Sequence, residues 1–347
     1  MTELPEGLTV RRVPYRTAPD ADLAALHFVE TEINKELRPD RAPEPLQKYI
    51  TFARNFPAHF TEWTWLTRDG DGAPIASSSC WYRHGEDPTV MRCFVFVLPG
   101  WRRRGVGRHL LGLIGGVAAE QGRSLLLGWT ADTAPAGEPF ARSFGARPGR
   151  VTRTSEVWLD EIDWSMTERW AHEGPRRAPG YSLQLIEGPY PPELYADAVV
   201  FHEIMETAPR DDLEVAAGHT TTEQIAEWEK LMVEQGRGRW VLFVRDPSGA
   251  CVGGTEVEFV PWQPDTAFQG DTGIHPDHRG KGLGKWVKAA MLEKIRAERP
   301  EAKRMPTGNA YSNAPMLAIN DAIGFRVTQS RIDWQFDVAD VVRLLRA

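Results

Sequence analysis

Alternating apolar and polar residues predict two successive groups of β-strands along this chain. The predicted strands are 8–13, 63–67, 75–82 and 92–98 in the first half, and 181–186, 240–245, 252–260 and 267–274 in the second. Turns containing Asp, Gly, Pro or Ser separate the second strand from the third in each half, which is typical of β-hairpins. Each half therefore predicts a mostly antiparallel sheet.

Helical periodicity occurs at matching places in the two halves. The predicted helices are 23–37, 107–121 and 137–144 in the first half, and 194–206, 284–297 and 314–323 in the second. A further strand precedes the last helix of each half, at 124–129 and 303–307, and another follows it. The predicted class is α+β, with two tandem domains that each contain a mixed, mostly antiparallel sheet flanked by helices.

The two halves also repeat in sequence. Pro99–Gly107 reads PGWRRRGVG, and 177 residues later Pro276–Gly284 reads PDHRGKGLG. Trp63 recurs at the same offset as Trp240, which supports a domain-sized duplication. We therefore predict an N-terminal domain over 1–165, a linker over 166–180 that ends in Gly and Pro residues, and a C-terminal domain over 181–347.

Composition narrows the possible partners. A net charge of -7 and a pI near 5.8 argue against nucleic acid, whose phosphates need clustered Lys and Arg. No apolar stretch is long enough for a membrane span. The three cysteines, Cys80, Cys93 and Cys251, lack metal-ligand spacing, so we expect a reduced, cytoplasmic protein without a metal. We also expect a monomer or homodimer.

A glycine motif ends the fourth strand of each half and opens the helix that follows. Its form is Arg-x-x-Gly-x-Gly, at 102–107 and at 279–284. Glycines permit a tight turn and close approach, and the start of a helix presents unpaired N–H groups, so each motif predicts an anion site. A Walker A loop would need Gly at Arg279 and Ser or Thr at Trp286, and a dinucleotide fingerprint needs a third Gly, so both are excluded.

The motif resembles the signature of the GNAT superfamily of acyl-CoA-dependent N-acyltransferases. In the second half, the residues Asn309, Asn313, Met316, Asn320 and Gly324-Phe325 resemble a second landmark of that superfamily. The first half keeps only Phe140–Ala146, FARSFGA, which lacks the asparagines. The tandem arrangement is similar to that of mycothiol synthase, although no motif indicates its thiol substrate.

This resemblance implies acetyl-CoA or another acyl-CoA as cofactor and the primary amine of a small molecule as acceptor. The pyrophosphate would lie on one of the glycine turns, formed by Arg103, Arg104, Gly105, Val106, Gly107 and Arg108, or by Arg279, Gly280, Lys281, Gly282, Leu283, Gly284 and Lys285. The pantetheine arm would pair with the backbone of Val97 and Leu98, or of Ile274 and His275, where two strands diverge, with Asn309, Asn313 and Asn320 nearby. We expect acceptor specificity in the irregular segments 38–60 and 209–238.

Acyl transfer to an amine requires a group that accepts the amine proton. Strand alternation places Gln269 and Asp271 on a common face of their strand, and Glu256 and Glu258 on a common face of theirs. The candidate bases are Asp271, Glu256 and Glu258. The alternative for each is a solvated strand face. Many relatives have a tyrosine general acid where this chain has Asn320; Asn320 would then orient the cofactor, and the proton would come from Tyr311 or water, or the thiolate would leave unaided.

The first half lacks carboxylates on the corresponding strands. Residues 92–98 and 77–82 contain none, although Tyr82 and His84 lie near. We therefore expect a degenerate N-terminal domain that keeps a cofactor site and a catalytic C-terminal domain. A non-catalytic CoA-binding or scaffold protein on the same fold is the alternative.

Overall fold

The computed structural model describes residues 4–344, which form two compact units. Unit 1 contains the chain up to residue 151, residues 211–217 and the segment from residue 330 onward. Unit 2 contains residues 152–210 and 218–329. Within residues 4–344, no helix combines the length and the apolar character that crossing a membrane requires.

Strands and helices follow each other in the same order in both halves. The strands are β1 (Thr9–Arg12), β2 (Phe60–Arg68), β3 (Pro74–Arg83), β4 (Val90–Val97), β5 (Leu125–Ala131), β6 (Arg147–Trp158), β7 (Ser182–Glu187), β8 (Gly238–Arg245), β9 (Cys251–Phe259), β10 (Ala267–Ile274), β11 (Arg304–Ala310) and β12 (Arg326–Asp337). The helices are α1 (Asp20–Leu37), α2 (Leu46–Arg54), α3 (Val106–Glu120), α4 (Gly137–Ser143), α5 (Trp164–Arg177), α6 (Tyr195–Met205), α7 (Thr222–Glu234), α8 (Leu283–Glu298), α9 (Ala314–Ile323) and α10 (Val338–Leu344). The predicted α+β class with mostly antiparallel sheets is confirmed.

The sheet of unit 1 has the order β1-β2-β3-β4-β5-β12. Its neighbouring strands are antiparallel except β4 and β5, which are parallel. Residues Arg331–Asp337 of β12 pair with β5. The core of this unit lies between the sheet and helices α3 and α10, and includes Leu110, Ile114, Trp334 and Val341.

The strands of unit 2 repeat that order. Strands β7, β8, β9 and β10 form an antiparallel sheet, and β11 pairs with residues Thr152–Trp158 of β6. One parallel bridge, between Thr266 and Arg304, joins the start of β10 to the start of β11. Val257, Val287 and Met291 belong to the core that this unit builds between its sheet and helix α8.

The last strand of each half belongs to the other half's unit. Residues 152–158 pair with β11 of unit 2, and residues 331–337 pair with β5 of unit 1. The division of the structure therefore differs from the predicted boundaries at 165 and 181. Two amphipathic strands of similar length can exchange places without changing either sheet's pattern, so alternation along the sequence does not reveal the exchange.

Three segments expected to be irregular contain helices. The predicted linker 166–180 is mostly covered by α5, which packs so closely on α8 that a Cβ atom on Gly174 would lie 2.1 Å from Cγ of Trp286. The two predicted acceptor segments contain α2 and α7. Helix α7 begins with a capping box made by Thr221 and Gln224, a signal that the sequence carries at its N-terminus.

Candidate active site

The two glycines of each motif have different structural causes. Gly105 and Gly282 are the residues that precede helices α3 and α8, and their φ angles of +86° and +80° strain any L-residue. Gly107 and Gly284 allow close helix packing instead: a Cβ atom would lie 3.2 Å from Phe140 and 3.3 Å from Ile319. Because the first N–H groups of a helix lack partners within it, both turns can hold an anion.

The first arginine of each motif braces the turn. Nε of Arg102 donates to the carbonyl of Val97 at 3.0 Å, and Nε of Arg279 donates to the carbonyl of Ile274 at 2.9 Å. The remaining nitrogens of Arg102 pair with Glu36, and Arg279 donates to Thr207 Oγ1 at 2.7 Å. Arg279 was predicted to bind the cofactor, but two of its guanidinium nitrogens are bonded to Ile274 and Thr207.

Other predicted cofactor contacts are also partly engaged. The N–H of Leu98 donates to Ile75 at 3.0 Å, and the N–H of His275 donates to Val252 at 2.9 Å, because each hairpin continues past the strand end. The sequence predicted that the backbone of these residues pairs with pantetheine, but these two N–H groups are already bonded within the hairpins. The open positions lie on the other edge of the same strands.

That other edge is open because two parallel strands separate in each unit. In unit 1, β4 and β5 pair only from Val90 to Arg92, although both strands continue. In the described part of unit 2, the pairing between β10 and β11 is limited to one bridge, between Thr266, which precedes β10, and Arg304, the first residue of β11. The backbone beyond these points can pair with an extended ligand, and each cleft ends at a glycine turn.

The cleft of unit 1 is a cavity of about 430 Å³. Its lining is mainly apolar and aromatic, and includes Ile33, Leu37, Phe96, Trp129, Phe140 and Phe144. The glycine turn contributes Arg103, Gly105, Gly107 and Arg108. The position of Arg103 is strained, because its φ is +62° where the repeat has Gly280 at +81°.

Several basic side chains of the turns contact protein groups. Arg104 stacks 4.8 Å from the ring of Trp101, and Arg108 donates to the carbonyl of Leu344. In unit 2, Lys281 lies 3.5 Å from the carbonyl of Asp277, and Lys285 lies 4.9 Å from the ring of Trp170. The predicted anion sites therefore rest on backbone N–H groups more than on these side chains. The peptide units of Val106 and Leu283 begin the two helices.

Unit 2 brings two of the predicted carboxylates together at a β-bulge. The bulge interrupts β10 between Gln269 and Thr272, and the N–H of Asp271 there donates to Glu256 Oε1 at 3.4 Å. Asp271 also lies 3.4 Å from Nδ1 of His202. Glu256 keeps some exposed surface, yet burial of its carboxyl, reinforced by Asp271, raises the pKa of Glu256 to about 7.

The other two polar residues of these strands serve different partners. Glu258 pairs with Arg237 at 3.3 Å. The amide of Gln269 donates to the carbonyl of Glu256 at 2.7 Å and to Thr255 Oγ1 at 3.1 Å, inside the bulge. The prediction that Gln269 and Asp271 share one face is therefore wrong, because the bulge breaks the alternation of the strand.

A buried polar group beside this pair is not evident from the sequence. Arg239 and Glu229 form a buried ion pair at 2.8 Å, and the guanidinium of Arg239 lies 4.0 Å from the ring of Tyr190. The hydroxyl of Tyr190 has no hydrogen-bond partner within residues 4–344 although the residue is 2% exposed. Burial and the nearby charge of Glu256 raise the pKa of Tyr190 well above its ordinary value.

The asparagines of the second landmark have three different environments. Asn313 caps α9 and accepts the N–H of Met316 at 3.4 Å. Asn320 is buried and donates to Asn309 Oδ1 at 2.7 Å, while it accepts from Nζ of the buried Lys288 at 2.8 Å. Lys288 was not predicted as a site residue. It lies one helical turn after Gly284, on the stripe of α8 that is buried.

Tyr311, the alternative proton donor, lies just beyond the end of β11. Its side chain is 44% exposed, and the guanidinium of Arg153 lies 6.0 Å from its ring. Asn320 is therefore held in a buried hydrogen-bond network, whereas the side chain of Tyr311 is exposed.

Unit 1 lacks carboxylates at the positions of Glu256 and Asp271, but it has a buried carboxyl elsewhere. At the repeat offset, Glu256 and Asp271 correspond to Ser79 and Phe94. On helix α1, however, burial raises the pKa of Glu30 to about 7, and Glu30 accepts from the hydroxyl of Tyr49 at 2.8 Å. Glu30 was not predicted, because it lies on a helix and alternation along the strands does not mark it.

The histidines that follow β10 have local partners. Nδ1 of His275 accepts the N–H of Asp277 at 3.4 Å, and Nδ1 of His278 lies 2.8 Å from the hydroxyl of Tyr181. Among the described residues, no three His, Cys, Asp or Glu side chains are grouped so that they could hold a metal ion.

Residues 201–319 match the family model of the acetyltransferase (GNAT) family. A tandem GNAT protein from the clavulanic acid biosynthesis pathway is 25% identical, and the match covers 95% of this chain and 99% of that one with a TM-score of 0.77. A GCN5-related N-acetyltransferase from Sphaerobacter thermophilus matches 97% of both chains with a TM-score of 0.64, but at 13% identity this likeness concerns the fold alone. No curated protein matches the sequence significantly.

The family match and the geometry agree. The matched segment includes the diverging strands, the glycine turn and the paired carboxylates of unit 2. The structural match extends over both halves, and unit 1 repeats the same order of strands and the same glycine turn. Residues 201–319 therefore carry a GNAT acetyltransferase domain, and the chain as a whole has the fold of a tandem GNAT protein.

Proposed function

We propose that unit 2 transfers an acetyl or other short acyl group from acyl-CoA to the primary amine of a small molecule, directly within a ternary complex. The observation that carries this proposal is one cleft with two features. A glycine turn that suits an anion lies at its end, and Glu256, a carboxyl with a pKa of about 7, lies beside its bulged strand.

The cleft suits an extended cofactor. The N–H groups around Gly280, Gly282 and Gly284 would hold the pyrophosphate, since Gly280 and Gly282 have φ angles of +81° and +80°, which give the turn a shape that L-residues adopt only with strain. The free edges of β10 and β11 would pair with the pantetheine amides. Bound acyl-CoA supplies an activated thioester.

Glu256 is the preferred base among the three candidates. A general base works best when its pKa lies near the working pH, and the pKa of Glu256 is about 7. Glu258 is paired with Arg237, and Asp271 is paired with His202. In the transfer, Glu256 takes one proton from the ammonium group, the amine nitrogen bonds to the acyl carbon, and the C–S bond breaks. The sulfur leaves as thiolate and takes up the second nitrogen proton, which gives the amide and the CoA thiol.

The carboxylates also favour a cationic acceptor. A primary amine is protonated at neutral pH, and Asp271 beside Glu256 attracts it before the proton is removed. The unpartnered hydroxyl of Tyr190 offers a hydrogen bond to such a substrate. These groups come from different elements of unit 2, so the acceptor site does not depend on one loop.

For unit 1 we propose acyl-CoA binding with little or no turnover. Its cavity and its glycine turn support binding, and the absence of carboxylates from the described residues of β3 and β4 argues against a base on those strands. This is the non-catalytic alternative, applied to one half of the chain.

Turnover of acetyl-CoA over a panel of amines, followed with a thiol reagent, tests the proposal. We expect amine-dependent release of CoA from the full chain, and loss of that release in Gly282→Asp. Gly116→Ala, at a helical position with nothing within 4 Å, serves as the unaffected control. Binding of acetyl-CoA without turnover of any amine would instead support a non-catalytic CoA-binding protein.

A further inference from the structure

Unit 2 contains a buried lysine that the proposed transfer does not use. Lys288 is 2% exposed, and burial lowers the pKa of its amine to about 7. Its Nζ donates to Asn320 Oδ1 at 2.8 Å and lies 5.3 Å from the ring of Phe325. Burial of an amine costs free energy unless the amine is hydrogen-bonded, so Lys288 depends on its contact with Asn320.

The chain of hydrogen bonds runs from Lys288 to the edge of the cleft. Asn320, which is 1% exposed, uses its Oδ1 for Lys288 and its Nδ2 for Asn309 Oδ1 at 2.7 Å. Asn309 is only partly buried and is the last but one residue of β11. The buried amine is therefore connected to the strand that forms one side of the cleft.

The direction of this chain is set by the lysine. Nζ of Lys288 donates to Asn320 Oδ1, so Asn320 turns its oxygen towards Lys288 and its NH₂ group towards Asn309. Asn309 then accepts through its oxygen, and its own NH₂ group is directed away from Asn320. The result is a hydrogen-bond donor of fixed orientation on β11.

The register of the two strands places this donor near the carboxylates. The bridge that joins β10 and β11 pairs Thr266 with Arg304 in a parallel arrangement. The bulge adds one residue to β10, so Asn309, five residues beyond Arg304, corresponds to Thr272, the residue that ends the bulge next to Asp271. Asn309 therefore lies at the level of the bulge, on the opposite side of the cleft from the proposed base.

Unit 1 shows that the fold does not need this network. Lys288 is the sixth residue of α8, and the sixth residue of α3 is the buried Leu111. Asn320 corresponds to the buried Ala141, because each carbonyl accepts the N–H five residues later at the end of its helix. Apolar residues fill the same places in the unit that lacks carboxylates on its strands, so the network accompanies the proposed chemistry and not the packing.

We propose that Lys288 and Asn320 are positioning residues that aim the amide N–H of Asn309 at the thioester carbonyl oxygen of acyl-CoA. This inference rests on the proposed function of unit 2. A donor at that oxygen stabilises the negative charge that develops when the amine attacks the carbonyl carbon. The acyl group then lies between a donor on β11 and a base beside β10.

The test measures the carbonyl itself. Acetyl-CoA carrying ¹³C at the carbonyl is bound to the full chain without an amine, and the infrared band of its C=O group is compared among variants as difference spectra, in which any contribution of unit 1 cancels. A hydrogen bond lowers the frequency of that band. Asn309→Asp removes the NH₂ donor with little change of shape, and Lys288→Leu with Asn320→Ala copies the residue types of unit 1.

We expect both changes to move the band towards its position in free acetyl-CoA and to lower kcat by roughly 10²-fold, with a smaller effect on the KM for acetyl-CoA. Leu111→Met, at the equivalent buried position of unit 1, leaves the band and kcat unchanged. Circular dichroism verifies folding, and if the double variant does not fold, Asn309→Asp decides alone because Asn309 is partly exposed.

Two failures have different meanings. A band that stays at its wild-type position in Asn309→Asp, with acetyl-CoA still bound, overturns the role of Asn309 and of the residues that position it, and leaves the proposed transfer intact. Acetyl-CoA binding that Gly282→Asp does not reduce overturns the proposed function of unit 2, and this inference with it.

Discussion

Burial shifts the pKa values of two residues of unit 2, Glu256 and Lys288, in opposite directions. The carboxyl pKa rises to about 7, and the amine pKa falls to about 7. In both cases the neutral form is favoured, because a charge loses hydration inside the protein. Both groups therefore change charge within the pH range in which an enzyme of this kind would work.

Glu256→Gln should lower the rate at neutral pH by roughly 10²-fold, because the amine proton loses its acceptor. The wild-type rate should fall as the pH drops below 7, since Glu256 with a pKa of about 7 becomes protonated and can no longer accept a proton. In the variant the optimum should move upward, where the amine is already deprotonated. The measurement is kcat/KM against pH, with Asp271→Asn in parallel; unchanged profiles for both variants would remove both carboxylates from the mechanism.

Lys288 makes stability depend on pH. Its folded pKa of about 7 is lower than that of an unfolded lysine, so between these values the unfolded chain binds the additional proton and the free energy of unfolding rises with pH. Lys288→Met removes this dependence. We expect the Tm of the variant minus that of the wild type to be more positive at a pH of about 6 than at a pH of about 9.5.

Scanning calorimetry of the variant and the wild type at both pH values checks this expectation. Lys294→Met is the matched control, because Lys294 lies on the same helix and pairs with Glu298 at 2.7 Å near the surface. A difference in Tm that is the same at both pH values would mean that Lys288 keeps its proton in the folded protein.

Single residues were predictable from the sequence where the strand pattern constrained them. Glu256 and Asp271 follow from alternation along β9 and β10, but their contact depends on a bulge, which one extra residue creates without a distinct sequence signal. Tyr190 lies outside every regular element, so no periodicity marks it. Lys288 could have been found, because it lies on the same helical stripe as Gly284 and Met291.

At the scale of elements, the sequence predicts which strands exist better than which strands pair. Strands β6 and β12 follow the last helix of each half as predicted, but their pairing is exchanged between the two units. The hydrophobic pattern states which face of a strand is buried and does not state the partner. Helix α5 was interpreted as a linker because of its charges and its C-terminal Gly and Pro residues, although Trp164 and Trp170 pack against the core of unit 2.

The contact between α5 and α8 gives a prediction at this scale. Gly174→Ala should destabilise the protein by roughly 1–3 kcal/mol, because the new Cβ atom would lie 2.1 Å from Cγ of Trp286 and the ring would have to shift. Gly116→Ala on α3 should be neutral or stabilising, because nothing lies within 4 Å and alanine favours a helix. Thermal unfolding of the two variants measures the difference, and an equal Tm would mean that α5 does not pack closely on α8.

At the scale of the whole molecule, one fold occurs twice with different chemistry. Both units have the diverging strands, the glycine turn and the bracing arginine. Unit 2 adds Glu256 and the Lys288 network, whereas unit 1 has apolar residues at the positions of Lys288 and Asn320 and a cavity lined with aromatic rings. This division could be predicted in part, because the strands of the first half lack carboxylates, but Glu30 shows that a helix can supply one.

The assignment of catalysis to unit 2 is tested by matched substitutions, Gly105→Asp and Gly282→Asp. Each places a carboxylate and a side chain at a φ near +80° in the anion site, so each should remove cofactor binding from its own unit. Gly105→Ala and Gly282→Ala impose the same strain without the charge.

We expect Gly282→Asp to abolish turnover at saturating acetyl-CoA and Gly105→Asp to leave most of it, while calorimetry shows one fewer binding site in each. Loss of turnover in Gly105→Asp with little effect of Gly282→Asp would reverse the assignment, and Glu30 would then be the base to examine, because its pKa of about 7 suits the same proton transfer. Glu30→Gln in the same assay separates these two cases, since a purely binding unit 1 does not need that carboxyl.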